Sequence, residues 1–391
     1  MLRFLTAGES HGKALTTIIE GLPAGVPVLA EFINGQLSRR QKGYGRGGRM
    51  QIETDAVEIL SGVRHGYSMG GPITLMIRNK DNPNWTVIMD EKPVDEEVAK
   101  ITRLRPGHAD MAGVIKYGLD DIRPILERSS ARETTTRTAV AAVCRELLQE
   151  FGIGIRSHVV RVGPVAAGEL ALPADPAEWP WDEVDQSPMR CFDKAAEAEM
   201  VKTVDLAKER GDSVGGAFEV VAWGMPVGLG SVMHWDRRLD GLIAGAIMSI
   251  PAIKGVEIGE GFGVASLFGS QAQDQIRYDA SAGWSRLSNR AGGTEGGMTN
   301  GQPLVVRVAV KPISTIQNAL PSVDYATREE SVAHFERADT CQVPAAGIVG
   351  EAMVAIVLAQ TFLEKFAGDH LSQVRQAYDS YVRSYAPRER E

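Results

Sequence analysis

Cysteine is scarce in this chain: Cys144, Cys191 and Cys341 are the three among 391 residues. They lie far apart, their number is odd, and no Cys-x-x-Cys or Cys/His spacing offers a zinc ligand set. Neither a disulfide framework nor a metal site is expected, and the pattern suits a reducing cytoplasm. A surplus of positive charge is missing as well. Lys and Arg number 42 against 50 Asp and Glu, a formal net charge of −8, which argues against a general nucleic-acid binder. Long apolar runs are lacking too. The most apolar stretch, Ala345 to Leu358, contains Glu351 and falls short of the roughly 20 residues a membrane span needs, so it reads as a buried core helix with no membrane partner. The first residues, Met1-Leu2-Arg3-Phe4-Leu5, run into a glycine motif without a signal-peptide pattern. No Ser-His-Asp order or activated cysteine stands out. What remains is a soluble chain, acidic overall, with arginine concentrated locally, as a small anionic ligand would require.

Length alone suggests two or three domains, but no linker-like stretch divides residues 1–391, and strands and helices do not alternate regularly enough for a doubly wound sheet. Thr16–Glu20 and Val26–Leu29 read as a hairpin turning through Gly21–Gly25. Glu31–Lys42 has helical spacing and leads into a glycine-rich loop, Gly43–Arg49. Pro72–Ile77, Ile155–Val162, Ala217–Trp223 and Pro303–Val310 read as strands. Helices are expected over Glu133–Phe151, where Val140, Val143, Leu147 and Leu148 share a face, over Asp193–Arg210, over Asp240–Ile250 stopped by Pro251, and over Ala345–Phe366. Residues 163–190, rich in Pro, Trp and acids, read as a surface excursion, and 386–391 as a frayed tail. Ser68–Leu75 faintly echoes Thr299–Val306, each a glycine turn feeding a strand; chance explains so short a match as well as an internal duplication does.

Two histidines carry the chemical argument. His11 stands in Gly8-Glu9-Ser10-His11-Gly12 and His108 in Arg105-Pro106-Gly107-His108-Ala109-Asp110. Glycine allows close backbone approach to a ligand, and imidazole trades a proton near neutral pH. Either histidine alone is more simply a turn residue; both together, near arginine clusters, point to proton handling beside an anion. The first cluster is Arg39, Arg40, Arg46 and Arg49, whose planar donor forks suit phosphate and carboxylate. The second is Arg128-Ser129-Ser130-Ala131-Arg132-Glu133-Thr134, which opens a helix and so offers an anion its unpaired amides. Ordinary capping by Ser130, with Glu133 completing a capping box, is compatible with that and leaves Arg128 and Arg132 unexplained. The third is Asn289–Met298, with four glycines in six residues, fitted either to a flat or phosphorylated ligand or to a plain loop. It is neither a dinucleotide fingerprint nor a Walker loop. Lys311-Pro312-Ile313-Ser314-Thr315 adds a cation and two hydroxyls, and Arg337-Ala338-Asp339-Thr340 precedes the apolar helix.

Taken in order, GESHG at 8–12, GRGGRM at 45–50, RPGHAD at 105–110, RSSARET at 128–134, VEIG at 256–259, AGGTEGG, KPIST and RADTC resemble the chorismate synthase family over most of the chain. The resemblance implies an α+β sandwich of antiparallel sheets with helices between them, assembled as a homotetramer. It implies trans-1,4-elimination of phosphate from 5-enolpyruvylshikimate-3-phosphate to give chorismate, with reduced FMN required but no net redox change. By the same resemblance His11, His108 and Asp339 are catalytic, His108 near flavin N1 and Asp339 assisting proton movement at N5. Ser130, Ala131, Arg132, Pro251, Ala252, Gly296, Lys311, Pro312, Ile313, Ser314, Thr315 and Arg337 match flavin-binding positions. Ser10, Arg40, Arg46, Arg49, Arg105 and Arg137 match positions for the substrate or for NADP phosphate. The reductant implied is NADPH or an external flavin reductase. Two rivals stay open on the residues alone: a true flavin oxidoreductase using the same cradle, and a non-catalytic anion-binding module, which leaves the paired histidines without a purpose.

Overall fold

Alternation sets the first sheet. Along Ala14–Glu20 the side chains of Leu15, Thr17 and Ile19 are buried while their neighbours are more open, the period of two that a half-buried strand produces. In the computed structural model, which describes residues 1–47, 54–95, 98–168 and 171–387, β1 (Arg3–Ala7), β2 (Ala14–Glu20), β3 (Val57–Ser61) and β4 (Ile73–Arg78) form an antiparallel sheet in the order β1-β2-β4-β3. The second sheet is also antiparallel. It runs β8-β9-β7-β5-β6, from β5 (Gly154–Val162), β6 (Val165–Ala166), β7 (Gly216–Trp223), β8 (Ile253–Ile258) and β9 (Leu304–Val310).

Among the described residues, the α-helices of six residues or more are α1 (Ala30–Gln41), α2 (Asp110–Tyr117), α3 (Arg123–Arg128), α4 (Thr134–Gln149), α5 (Trp181–Gln186), α6 (Lys194–Glu209), α7 (Leu239–Met248), α8 (Val343–Lys365) and α9 (Leu371–Tyr385). Helices α1 and α4 cover the first sheet, α8 lies on β5 and β7 of the second, and α8 packs against α1, α4 and α7. The result is the expected α+β sandwich with helices between antiparallel sheets. One continuous apolar cluster takes side chains from Leu2 through Val374.

The expected hairpin between 16–20 and 26–29 does not form. The partner of β2 is the preceding strand β1, with Leu5 opposite Ile18. The connection needs Gly8, whose φ of +109° and tight fit, with an added Cβ only 2.5 Å from the Ala14 carbonyl oxygen, exclude a side chain. Val26 and Val28 instead donate their amides to Ser68 Oγ and to the Gly66 carbonyl. The excursion after Pro164 is likewise only half a surface feature. Trp181 and Val184 are buried, Trp181 stacks on Trp223, and Asp185 pairs with Arg39 and Arg190. Of the 386–391 tail, residues 388–391 lie outside the described part of the chain.

Helix α8, expected over Ala345–Phe366, spans 23 residues from Val343 to Lys365, and by length and composition alone it is apolar enough to cross a membrane. Its burial has another explanation: protein packs around it, and Glu351 is fully enclosed. That carboxylate accepts from Arg39 Nη1 at 2.7 Å and Nη2 at 2.9 Å, from Arg145 Nη1 at 2.6 Å and from Ser157 Oγ at 2.7 Å. Burial alone would raise its pKa; the surrounding arginines hold it well below the usual carboxylate range. Arg39, grouped in sequence with the anion-binding arginines, is therefore a core residue tying α1 to α8.

Removing one partner of such a knot leaves uncompensated buried charge. Glu351→Ala should lower unfolding free energy by about 3–5 kcal/mol, read from the urea midpoint; a loss under about 1 kcal/mol would mean that Arg39, Arg145 and Arg190, whose Nη2 lies 3.4 Å from the same carboxylate, rehydrate freely. Glu146 behaves oppositely, because burial pushes its carboxyl up to about 7 with only the Leu29 amide opposing. The folded state then binds this proton more tightly than the unfolded state, whose value is near 4.5. The stability this group contributes is full below that value, falls as pH rises from there, and is lost once pH passes through about 7. Glu146→Gln should abolish this slope, so the variant gains on wild type between about pH 5 and 8 in unfolding titrations; parallel curves would show the carboxyl to be ionised throughout.

Candidate active site

Loops from both sheets and the ends of several helices converge on a cavity of about 640 Å³. Ser10 and His11 reach it from the turn between β1 and β2. Arg40, Arg46 and Gly47 come from the end of α1 and the loop after it, and Arg105, Gly107 and His108 from the loop before α2. The α3–α4 junction contributes Arg128 through Thr134, and Arg137 follows one turn into α4. Pro251 and Ala252 lie between α7 and β8, Lys311–Thr315 follow β9, and Glu336–Asp339 precede α8. Eight cationic side chains against three carboxylates line the wall among the described residues. Ala252 holds a φ of +71° there, a left-handed conformation rare for a residue with a Cβ.

Each imidazole is anchored through Nδ1 by a buried carboxylate. His11 Nδ1 lies 2.8 Å from Glu127 Oε1, and His108 Nδ1 lies 2.6 Å from Asp110 Oδ1. A carboxylate acceptor requires the proton on Nδ1, which leaves Nε2 for the cavity. Asp110 is gripped by Arg105, Nε to Oδ2 at 2.8 Å and Nη2 to Oδ1 at 2.9 Å. Burial would raise the Asp110 pKa, but those bonds and the one from His108 outweigh it and hold the group ionised. A tryptophan ring, Trp85, stacks on His11 at 3.9 Å between centroids.

The arginines are held with comparable care. Arg132 donates to Asp55 Oδ1 at 2.5 Å and to Asn79 Oδ1 at 3.0 Å. Arg40 donates to Thr134 Oγ1 and to the Ala131 carbonyl, bracing the turn that opens α4; burial pushes its guanidinium down to about 9, still cationic at neutral pH. Arg46 pairs with Asp339 at 2.7 Å, and the same carboxylate accepts the Gly47 amide at 2.6 Å. Arg137 pairs with Glu133 at 2.9 Å and reaches Ser249 Oγ at 2.8 Å. Lys311 is lowered by burial and by Lys254. At the mouth, the exposed Arg337 lies 3.7 Å from Asp81. Ser130 Oγ accepts from the Arg132 amide at 3.3 Å and bonds Ser10 Oγ at 3.1 Å. Ser130 thus caps as expected, while Glu133 turns to Arg137 and leaves the capping box unmade.

Of the residues singled out from the sequence, Ser10, His11, Arg40, Arg46, Arg105, His108, Ser130, Ala131, Arg132, Arg137, Pro251, Ala252, Lys311, Pro312, Ile313, Ser314, Thr315, Arg337 and Asp339 share this one cavity. Arg49 lies outside the described residues. Gly296 is not brought to the cavity of a single chain; the side chain nearest it belongs to Val232. The glycines of its loop answer to packing within the fold, since Gly292 lies so close to the Gly259 backbone that a Cβ has no room. Glu127, Asp55, Asn79 and Trp85 were missed. Asp110 was visible, two residues after His108, whereas Glu127 meets His11 across 116 residues of sequence and left no local signal.

The family model for chorismate synthase matches residues 2–363. The chain belongs to the chorismate synthase family. It is 54% identical over 394 residues to a chorismate synthase of Solibacter usitatus (strain Ellin6076), covering 98% of each chain. It is 53% identical over 397 residues to one of Mycobacterium avium (strain 104), covering 100% of this chain and 98% of that one. A crystal structure of a chorismate synthase superposes with a TM-score of 0.80 at 45% identity, covering 98% of both chains. The α+β fold and the assignment as an enzyme, a lyase of this family, follow from these matches.

Proposed function

We propose that the chain catalyses trans-1,4-elimination of phosphate from 5-enolpyruvylshikimate-3-phosphate, giving chorismate, in the shikimate route to aromatic amino acids. The observation that carries this reading is the placing of two carboxylate-anchored imidazoles in one cavity walled by arginine and lysine. A substrate with one phosphate and two carboxylates needs fixed cations on several sides, which Arg46, Arg105, Arg132 and Arg337 offer. His11, as the imidazolium that carries a second proton on Nε2, donates that proton to the departing phosphate and so makes it a better leaving group.

The donor set also fits reduced FMN: Arg132 and Arg337, the hydroxyls of Ser130, Ser314 and Thr315, and the Lys311 ammonium suit a phosphorylated, polar ring system. When bound, reduced flavin supplies electron density that assists C–O cleavage. His108, fixed by Asp110, balances negative charge on the ring near N1. Asp339, restrained by Arg46 and Gly47, holds or moves a proton near N5. We further propose NADPH, engaged through Arg40 and Arg46, or an external flavin reductase as the source of reducing equivalents, and the cytoplasm as the location. Exposed Met233, Trp235, Phe262, Phe268 and Trp284 are apolar surface of the kind subunit contacts cover, in keeping with a homotetramer.

An anaerobic assay with enolpyruvylshikimate phosphate and chemically reduced FMN should release phosphate and build chorismate absorbance while the flavin stays reduced. Folded protein with no phosphate release, or flavin oxidised one-for-one with product, would overturn the lyase chemistry. In that assay His11→Ala and His108→Ala should each lower turnover by roughly 10²–10⁴-fold; near wild-type rates remove the imidazoles from the mechanism. Light scattering should give about four times the chain mass of 42.2 kDa, and a monomer mass would remove the tetramer.

A further inference from the structure

Glu127 makes three contacts that converge on one neighbour and its charge. Its Oε2 accepts the His11 backbone amide at 2.8 Å, and its Oε1 accepts His11 Nδ1 at 2.8 Å. Arg123, one helical turn earlier on α3, donates to the same Oε1 at 3.2 Å. The carboxylate is itself almost wholly buried, at 1% exposure, so it does not line the cavity and cannot touch a ligand there. A buried carboxylate that spends one oxygen on the backbone and the other on the ring of a single residue fixes both where that ring stands and which nitrogen bears the proton. The ring's face is fixed separately by Trp85, and the Arg123 guanidinium lies over that same indole, 5.1 Å from the ring centre. Arg123 Nη1 also donates to Glu336 Oε1 at 3.0 Å, and Glu336 does line the cavity.

We propose that Glu127 is a positioning residue for His11: it holds imidazole as the Nδ1–H form, with Nε2 turned to the reaction, and stabilises the imidazolium whenever Nε2 takes a proton. The arrangement is the carboxylate–imidazole pairing of hydrolase triads without a nucleophile attached, in which the acid orients the ring and stays ionised throughout. Burial alone would raise the Glu127 carboxyl; the bonds from the His11 ring and amide outweigh it, with a smaller share from the Arg123 charge, and hold it below the usual range. The charged and titratable groups packed around the pair include Arg123, which bonds Glu127 and Glu336, His334 beside Glu336, and Asp81, which accepts from the Trp85 indole N–H at 3.2 Å. Among the described residues, Glu127 is the one shown hydrogen-bonded to the ring.

The inference rests on the assignment of His11 as the proton-handling group, and the test separates the two. Glu127→Gln should lower kcat roughly 10²–10⁴-fold with KM for the enolpyruvylshikimate phosphate within about threefold. It should also move the alkaline limb of the kcat–pH profile to lower pH, because imidazolium loses its counter-charge. Glu127→Asp should restore part of both. Combining Glu127→Gln with His11→Ala should cost no more than His11→Ala alone, since the carboxylate acts through the ring. Independent losses that multiply, or a Glu127→Gln enzyme with the wild-type profile beside an impaired His11→Ala, overturn the positioning role and leave the histidine assignment standing. An unimpaired His11→Ala overturns the histidine assignment itself. Nitrogen NMR of histidine-labelled wild type supplies a reading that needs no variant to fold: neutral His11 should show Nδ1 protonated and Nε2 bare, and the opposite tautomer sinks the proposal.

Discussion

Carboxylates set in the cavity wall and behind it hold this site together. A surface that gathers eight cationic side chains around about 640 Å³ would repel itself and drift towards solvent without fixed negative charge at its back. Asp55 holds Arg132, Asp110 holds Arg105 and His108, Asp339 holds Arg46, Glu133 holds Arg137 and Glu127 holds His11. Each pairing satisfies one side of a planar donor group, and guanidinium has donors on more than one edge. The wall can therefore be electrostatically tolerable when empty and still offer donors to an anion. Preorganisation of this kind spares a bound ligand the cost of gathering the charges itself.

The same logic joins the fold to the site. Glu351 draws arginines from α1, α4 and the segment before α6 onto the middle layer. Arg39 and Arg40 are adjacent in α1, one turned into this knot and the other to the cavity. The helix end that carries Arg40 is thus located by its neighbour's burial. Ala252, in its left-handed conformation on the cavity wall, shows the same coupling from the second sheet, where its carbonyl accepts the Lys311 amide and so fixes the start of the Lys311–Thr315 segment.

Motifs rich in glycine and arginine were legible because their chemistry is local: a turn that needs Gly8, a helix start that needs Ser130, a histidine with its aspartate two residues on. Helices α1, α4, α6, α7 and α8 were legible in the sequence within a few residues at either end, whereas α2, α3, α5 and α9 were not. What the sequence hid was partnership at a distance. Nothing in the run Ser38-Arg39-Arg40-Gln41 distinguishes the first arginine from the second until Glu351 is placed beside one of them, and nothing near Glu127 announces His11. The glycines of 292–297 read two ways for a related reason, since tight backbone packing within the chain and close approach to a ligand demand the same residue. The hairpin expected after β2 failed because strand pattern identifies a strand without identifying its partner, and β1 was the neighbour with the matching register.

During synthesis, the 23-residue, largely apolar stretch Val343–Lys365 leaves the ribosome as a segment that insertion machinery could accept as a span. An ionised side chain near the middle of such a segment makes transfer into lipid less favourable by roughly 2.5–3.5 kcal/mol. Arg39, Arg145 and Arg190 all precede Glu351 in the chain, so its counter-charges are already made when it emerges. The residue that knots the finished interior thereby also biases the nascent helix towards its own protein and away from the bilayer.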